Sequence, residues 1–352
     1  CTCECQLRIV TDCYMILFGE LYLRLKYFPR NASYVETVAN PPTICSTATW
    51  SRNAVTVAGG KESGTALNQL SWPSDIFVDD DRNVFVADLH NFRIVKYLQG
   101  ETTGQLILSG RSFSPVALFV DQNKNLYVSD TSTHSVKRWA EGVTDGGELI
   151  LDNRTNQFVV PYGIYVDKSG ILYTSDWQQH QVLKWNLSDS SRSSVVAGGH
   201  GNGSASNQLN EPGGIWVNEA DETVYIADTE NHRIQRWSPS SSTGVTVAGG
   251  NKNGTNLNQL IEPSSVTIDG SGNVYVSDIE NHRVMQWPVG SKEGRIIAGT
   301  TGSAGTGPDQ LNLPDGIQFD KMGNLYVADL ANGRVQMFTI IGNDCNGGKS
   351  HL

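Results

Sequence analysis

Short apolar runs alternate with polar turns along most of the chain, and helical periodicity is missing. β-Branched and aromatic residues come in runs of about five, as in Val274-Tyr275-Val276-Ser277-Asp278, which predicts short strands rather than helices. Clusters of Gly, Asn and Asp separate the runs. In Asp269-Gly270-Ser271-Gly272-Asn273 and Asp320-Lys321-Met322-Gly323-Asn324, Gly and Asn can supply the positive φ that a tight hairpin needs.

The pattern repeats. A proline followed three residues later by an aliphatic residue occurs at Pro73/Ile76, Pro115/Leu118, Pro161/Ile164, Pro212/Ile215, Pro263/Val266 and Pro314/Ile317. An Asp closing an apolar run follows at Asp88, Asp130, Asp176, Asp228, Asp278 and Asp329, and nine residues later comes Tyr97, Trp139, Trp185, Trp237, Trp287 or Phe338. Two strands flank each hairpin, a third runs into the aromatic, and a fourth follows, as in Arg233–Trp237 and Val245–Gly249. Four strands in 40 to 50 residues describe a propeller blade.

The first fourth-strand copy, Val55 to Gly59, precedes the first proline, and none follows Phe338. That copy is therefore expected to complete the sixth blade. Ala54 to Ile341 spans 288 residues, or 48 per blade, with no strand missing or left over. The expected fold class is all-β, a six-bladed β-propeller of four-stranded antiparallel blades closed by the N-terminal outer strand. Closure also protects open sheet edges, and a monomeric ring is expected. The domain reading is an N-terminal Cys-containing extension over 1–50, the propeller over 51–345 and a tail over 346–352. In the extension, Leu21, Leu23, Leu25 and Tyr27 alternate like a strand, while Tyr14 to Leu25 equally suits a short helix.

The pattern Pro-x-Gly-Ile-x-Val, then Val-Tyr-Ile-Ala-Asp, then Asn-His-Arg-Ile, seen from Pro212 to Ile234 and in close form from Pro263 to Val284, resembles the NHL repeat. The resemblance covers Ala54 to Ile341. It implies a six-bladed propeller whose ligand surface is formed by the loops between the fourth and first strands and those after each Asp. Blades 2 and 3 depart from the motif, with Thr133-His134-Ser135 and Gln179-His180-Gln181.

Recurring residues are expected to build the ring. His134, His180, His232 and His282 share one slot, four residues after the blade Asp. Equivalent positions splay round a ring rather than converge on one ion, and metal ligands must lie about 2 Å from it. Asp88, Asp130, Asp176, Asp228, Asp278 and Asp329 are read as structural, together with Arg93, Arg233, Arg283 and Arg334, which follow four of them by five residues. A carboxylate there can accept loop N–H groups and pair with the guanidinium. Asn-Gln-Leu or a variant precedes five of the prolines, at Asn68, Asn156, Asn207, Asn258 and Asp309, and its apolar residue is expected to plug a blade interface.

Function is expected where blades differ. Trp177 and Tyr162 belong to the third blade, near Glu230 and Glu280, and His90 follows the first blade Asp. Exposed Trp and Tyr are enriched at binding hot spots, so these five residues form the candidate partner surface. The leading expectation is a non-enzymatic scaffold that binds a protein, peptide or glycan, without cofactor, metal or catalytic set. One alternative is a propeller enzyme, since NHL-like rings are similar to peptide-amidating lyases and metal-dependent hydrolases with a central-channel site. Of the first-strand residues at the channel mouth, only Asp75 and Asp315 are strong ligands. A second alternative is the substrate arm of a ubiquitin ligase whose catalytic domain is not in this sequence.

The formal charge of −10 argues against nucleic acid as a partner, because phosphate contacts need clustered Lys and Arg. Membrane insertion is not expected, since the apolar stretch from Tyr14 to Phe28 is broken by Glu20, Arg24 and Lys26 and a span needs about 20 largely uncharged residues. Cys45 and Cys345 flank the strands that close the ring, and a disulfide between them would add about 3 to 5 kcal/mol on the chain-entropy model. Cys1, Cys3, Cys5 and Cys13 suit disulfides better than zinc. Oxidised cysteines point to an extracellular or secreted location. The sequons at Asn31, Asn153, Asn186, Asn202 and Asn253 are about as many as chance provides and decide nothing.

Overall fold

The computed structural model describes residues 41–155 and 160–345. The extension up to residue 40, with its four cysteines, the Asn156-Gln157-Phe158 motif and the C-terminal tail lie outside the described residues. The propeller consists of six four-stranded antiparallel sheets. Their innermost strands begin at the six prolines: Pro73–Val78, Pro115–Val120, Pro161–Val166, Pro212–Asn218, Pro263–Ile268 and Pro314–Phe319. These strands touch their counterparts in neighbouring blades and enclose a central channel. Each second strand ends at the blade Asp, where the chain turns into the third.

The core lies between blades, because each sheet buries both faces against its neighbours. One cluster joins Val86, Val95 and Tyr97 of blade 1 to Tyr326, Ala328 and Val335 of blade 6. Leu70, Leu209, Leu260 and Leu311, from the Asn-Gln-Leu motifs, are fully buried. Val55–Gly59 pairs with the third strand of blade 6, Arg334–Phe338, and closes the ring. Cys45 and Cys345 form a disulfide with their Cα atoms 5.1 Å apart.

Two features differ from the expected layout. Thr49–Trp50 pairs with Ile340–Gly342 in an extra two-stranded sheet, and Ile44, Ala48 and Trp50 are buried against blades 5 and 6. The residues just before 51 thus pack as part of the propeller, since Trp50 meets Phe319 and Tyr275 at ring-centroid distances of 6.1 Å. The fourth strand of blade 3 is also longer than its apolar run suggests, covering Asp189–Gly198. Among the described residues, no helix is long and apolar enough to cross a membrane.

The recurring polar residues form a clamp in blades 1, 4, 5 and 6. In blade 4, Asp228 accepts from the Asn210 backbone N–H at 2.7 Å, from Asn231 Nδ2 and from Arg233 Nε at 2.6 Å. The Arg233 guanidinium donates onward to the carbonyls of Ser204, Ala205 and Gln208. Asp88/Arg93, Asp278/Arg283 and Asp329/Arg334 repeat the ion pair at 2.6 to 2.7 Å. Burial pushes the Asp228 carboxyl up, and Arg233 with the N–H donors opposes it. The clamp ties the loop entering a blade to that blade's third strand.

The histidine slot joins one blade to the next. His180, His232 and His282 each adopt positive φ. Their Nδ1 atoms accept the backbone N–H just before the next proline, from Glu211, Glu262 and Leu313, at 3.0 to 3.2 Å. His134 Nδ1 is buried without a partner among the described residues.

Candidate functional site

A cavity of about 570 Å³ takes in the central channel and extends from its lower mouth outward past Gln105, Ile107 and Trp139 of blades 1 and 2; its volume is in the size range of small-ligand sites. It runs from the start of the innermost strands to the hairpin turns at their far end, and its lower mouth carries Asp79, Asp121, Asp320 and their neighbours. Every innermost strand shifts register just after its proline. This irregularity lets residues one and two places after the proline line the cavity together, among them Ser74, Asp75, Tyr162, Ser264 and Asp315.

Asp75 and Asp315 lie on adjacent blades at the upper end. Asp75 Oδ2 accepts the Leu118 N–H at 3.0 Å. A Cβ on Gly316 would lie 2.4 Å from Asp75 Oδ1, so glycine is what lets blade 6 approach the carboxyl this closely. Asp315 is 6% exposed. Among the described residues, neither carboxyl has an ion pair. Burial raises both to about 7, with Asp315 adding repulsion at Asp75 and Ser264 opposing the rise at Asp315. Tyr162 comes from blade 3, yet Asp315, burial and Asp75 together push its hydroxyl well above the usual range. Three groups from separate blades therefore converge there.

Four residues after each proline, a second layer lines the channel. Phe77, Phe119, Tyr165 and Trp216 form a continuous aromatic arc over blades 1 to 4, with centroid separations of 5.6, 5.0 and 6.5 Å. Thr267 and Gln318 fill the equivalent places in blades 5 and 6, and Gln318 accepts the Val78 N–H at 2.6 Å. The phase of the arc, four residues after each proline, is present in the sequence, but only four of the six blades carry an aromatic there, so the slot does not stand out as a recurring marker.

The other candidate residues lie outside this cavity, on the face formed by the loops before each proline and after each Asp. Trp177 is 38% exposed and His90 stacks on Trp72 at 4.7 Å, itself 41% exposed. Glu230 and Glu280 are exposed. Burial raises the Glu211 and Glu262 carboxyls, and the nearby charge of Glu230 raises both further, joined by Glu280 at Glu262. An acidic sector thus covers blades 4 and 5. Tyr162 does not join this face; it belongs with Asp75 and Asp315. Trp72, Glu211 and Glu262 were not anticipated; each stands directly before a blade proline, a position where Ser114, Val160 and Leu313 occupy the other blades.

Among the described residues, no three His, Cys, Asp or Glu side chains gather as metal ligands. The NHL repeat family matches residues 209–237, which hold Pro212, Asp228, Arg233 and Trp237. Equivalent strand positions recur in all six blades. The fold is a six-bladed β-propeller that carries an NHL repeat in its fourth blade. No curated protein matches it in sequence. Among solved structures, the propeller is similar to a gluconolactonase from Xanthomonas campestris, with 15% identity, a TM-score of 0.60, and coverage of 87% of this chain and 99% of that one. An auxiliary nutrient binding protein from Bacteroides thetaiotaomicron gives 13% identity and a TM-score of 0.63, covering 83% and 77%. Virginiamycin B lyase from Staphylococcus aureus gives 13% and 0.53, covering 79% and 98%. At such identity, the likeness of this propeller to enzymes and to a binding protein concerns the fold alone.

Proposed function

We propose that this propeller is a non-enzymatic binding module that takes a small ligand into its central channel from the lower mouth. The observation that carries the reading is the ligand-sized cavity in which Asp75, Asp315 and Tyr162 converge above the aromatic arc. An apolar concavity with a few convergent polar groups is the usual form of a ligand site. Thr267 offers a clean test, because it is 8% exposed and fills the gap in the arc. Thr267→Trp is expected to fill the channel while leaving the blades folded. A panel of cationic, neutral and anionic small molecules should give thermal shifts with the parent protein that vanish in the variant. The same shifts in both proteins would remove the channel from consideration.

A second reading, a partner polypeptide on the upper face, is favoured by exposed Trp177 and the Trp72–His90 stack beside the acidic sector. The enzyme alternative draws on the same carboxyls, since groups raised to about 7 suit acid–base work near neutrality. Turnover that disappears in Asp315→Asn would favour it over simple binding. The disulfide supports a secreted protein, because such bonds persist in oxidising compartments.

A further inference from the structure

The chemistry of the channel indicates the class of ligand, an inference that rests on reading the cavity as the ligand site. Asp75, part-buried, and Asp315, buried, are carboxyls on adjacent blades that line the cavity without an ion pair among the described residues. A buried carboxyl either holds its proton or ionises against a paired charge or a metal, so a cation in the cavity would draw both groups to the charged form. The cations at the lower mouth are already engaged: Lys96 with Asp79 at 3.6 Å, Lys321 with Asp80 at 2.6 Å and Lys124 with Glu141 at 3.7 Å. Lys124 and Lys321 lie in the hairpin turns, and Lys96, on the third strand of blade 1, turns its ammonium to Asp79, so none of them pairs with the inner carboxyls.

The wall beneath them is aromatic. Phe77 lies two residues beyond Asp75 on the same strand, a step of about 7 Å along a strand. Ring faces attract cations within about 6 Å of their centroids. A compact charged group between the layers would therefore meet carboxylate above and ring below. Rings are poor company for a hard divalent ion, which takes six or more oxygen ligands. A neutral apolar ligand would fill the arc but leave the carboxyls uncompensated. The acidic balance of the whole chain also favours approach of a cation.

We propose that the channel cavity is a site for a small organic ammonium ion, held between the carboxyls of Asp75 and Asp315 and the rings of Phe77, Phe119, Tyr165 and Trp216. The ammonium head sits at the carboxyl layer and its carbon substituents lie against the arc. Tyr162 lines the upper end beside the carboxyls, and the ligand enters and leaves through the lower mouth.

Choline and its neutral carbon isostere, 3,3-dimethylbutan-1-ol, differ in charge at nearly constant shape. Calorimetry on the full chain is expected to show saturable choline binding and at least tenfold weaker binding of the isostere. Asp75→Asn with Asp315→Asn should weaken choline at least tenfold and leave the isostere unchanged, while Trp216→Ala weakens both. Equal affinity for the two ligands would overturn the ammonium assignment but leave the cavity as a ligand site. So would stoichiometric calcium binding, lost in the double Asn variant, without any choline binding. If neither ligand binds and the broad panel fails to distinguish the parent from Thr267→Trp, the cavity reading falls as well.

Discussion

At the scale of single residues, burial of a carboxyl without a cation fixes the sign of a pH effect. Asp75 and Asp315 are raised from 3.8 to about 7 in the folded chain. Between those values the folded state keeps protons that the unfolded chain has released, so this contribution to stability declines as pH rises and is gone above about 7. Replacing both residues by Asn removes the cost of ionising them in place. Urea melts are expected to find the double variant more stable than the parent at pH 8, by on the order of 1–3 kcal/mol, with the advantage shrinking towards pH 4. A parent that is the more stable of the two at pH 8 would show that the carboxyls are compensated within the fold. The sequence marked Asp75 and Asp315 as the acidic positions at the channel mouth. It could not show that Tyr162 reaches them from blade 3, since that depends on the width of the channel.

At the scale of elements, blades 1, 4, 5 and 6 are each held by an Asp–Arg clamp as well as by strand pairing. Asp228 is fully buried and satisfies donors from the entering loop and the third strand together. Asp228→Ala would leave Arg233 and the Asn210 N–H facing a void. It should cost about 3 to 5 kcal/mol, as expected when one partner of a buried pair is removed, and a thermal melt unchanged within error would contradict this. The limits of the first three strands were legible because proline, Asp and aromatic residues mark them. The long fourth strand of blade 3 was not, because the polar stretch Asp189-Ser190-Ser191-Arg192 carries no alternation and is continued into the strand only across a register shift opposite Trp185 and Asn186. Nor was the register shift after each proline legible, although it decides which side chains reach the channel.

At the scale of the whole molecule, the ring is closed by strands and a covalent bond from opposite ends of the propeller. The Cys45–Cys345 disulfide joins residues 300 apart, so it restricts the unfolded chain strongly. Cys45→Ser with Cys345→Ser should lower stability by up to about 5 kcal/mol, read as a drop in the urea midpoint; an unchanged midpoint would mean that the strands alone fasten the ring. The number of blades, the strand order and the identity of the closing strand were determined by the sequence, because each follows from local alternation repeated in phase. Which unrepeated residues act together was decided only by the tertiary structure. Curving six sheets round one axis brings Asp75, Tyr162 and Asp315 into one chamber from distant parts of the chain and leaves Trp177, Glu230 and Glu280 on the outer face, and no local pattern encodes distances across a channel.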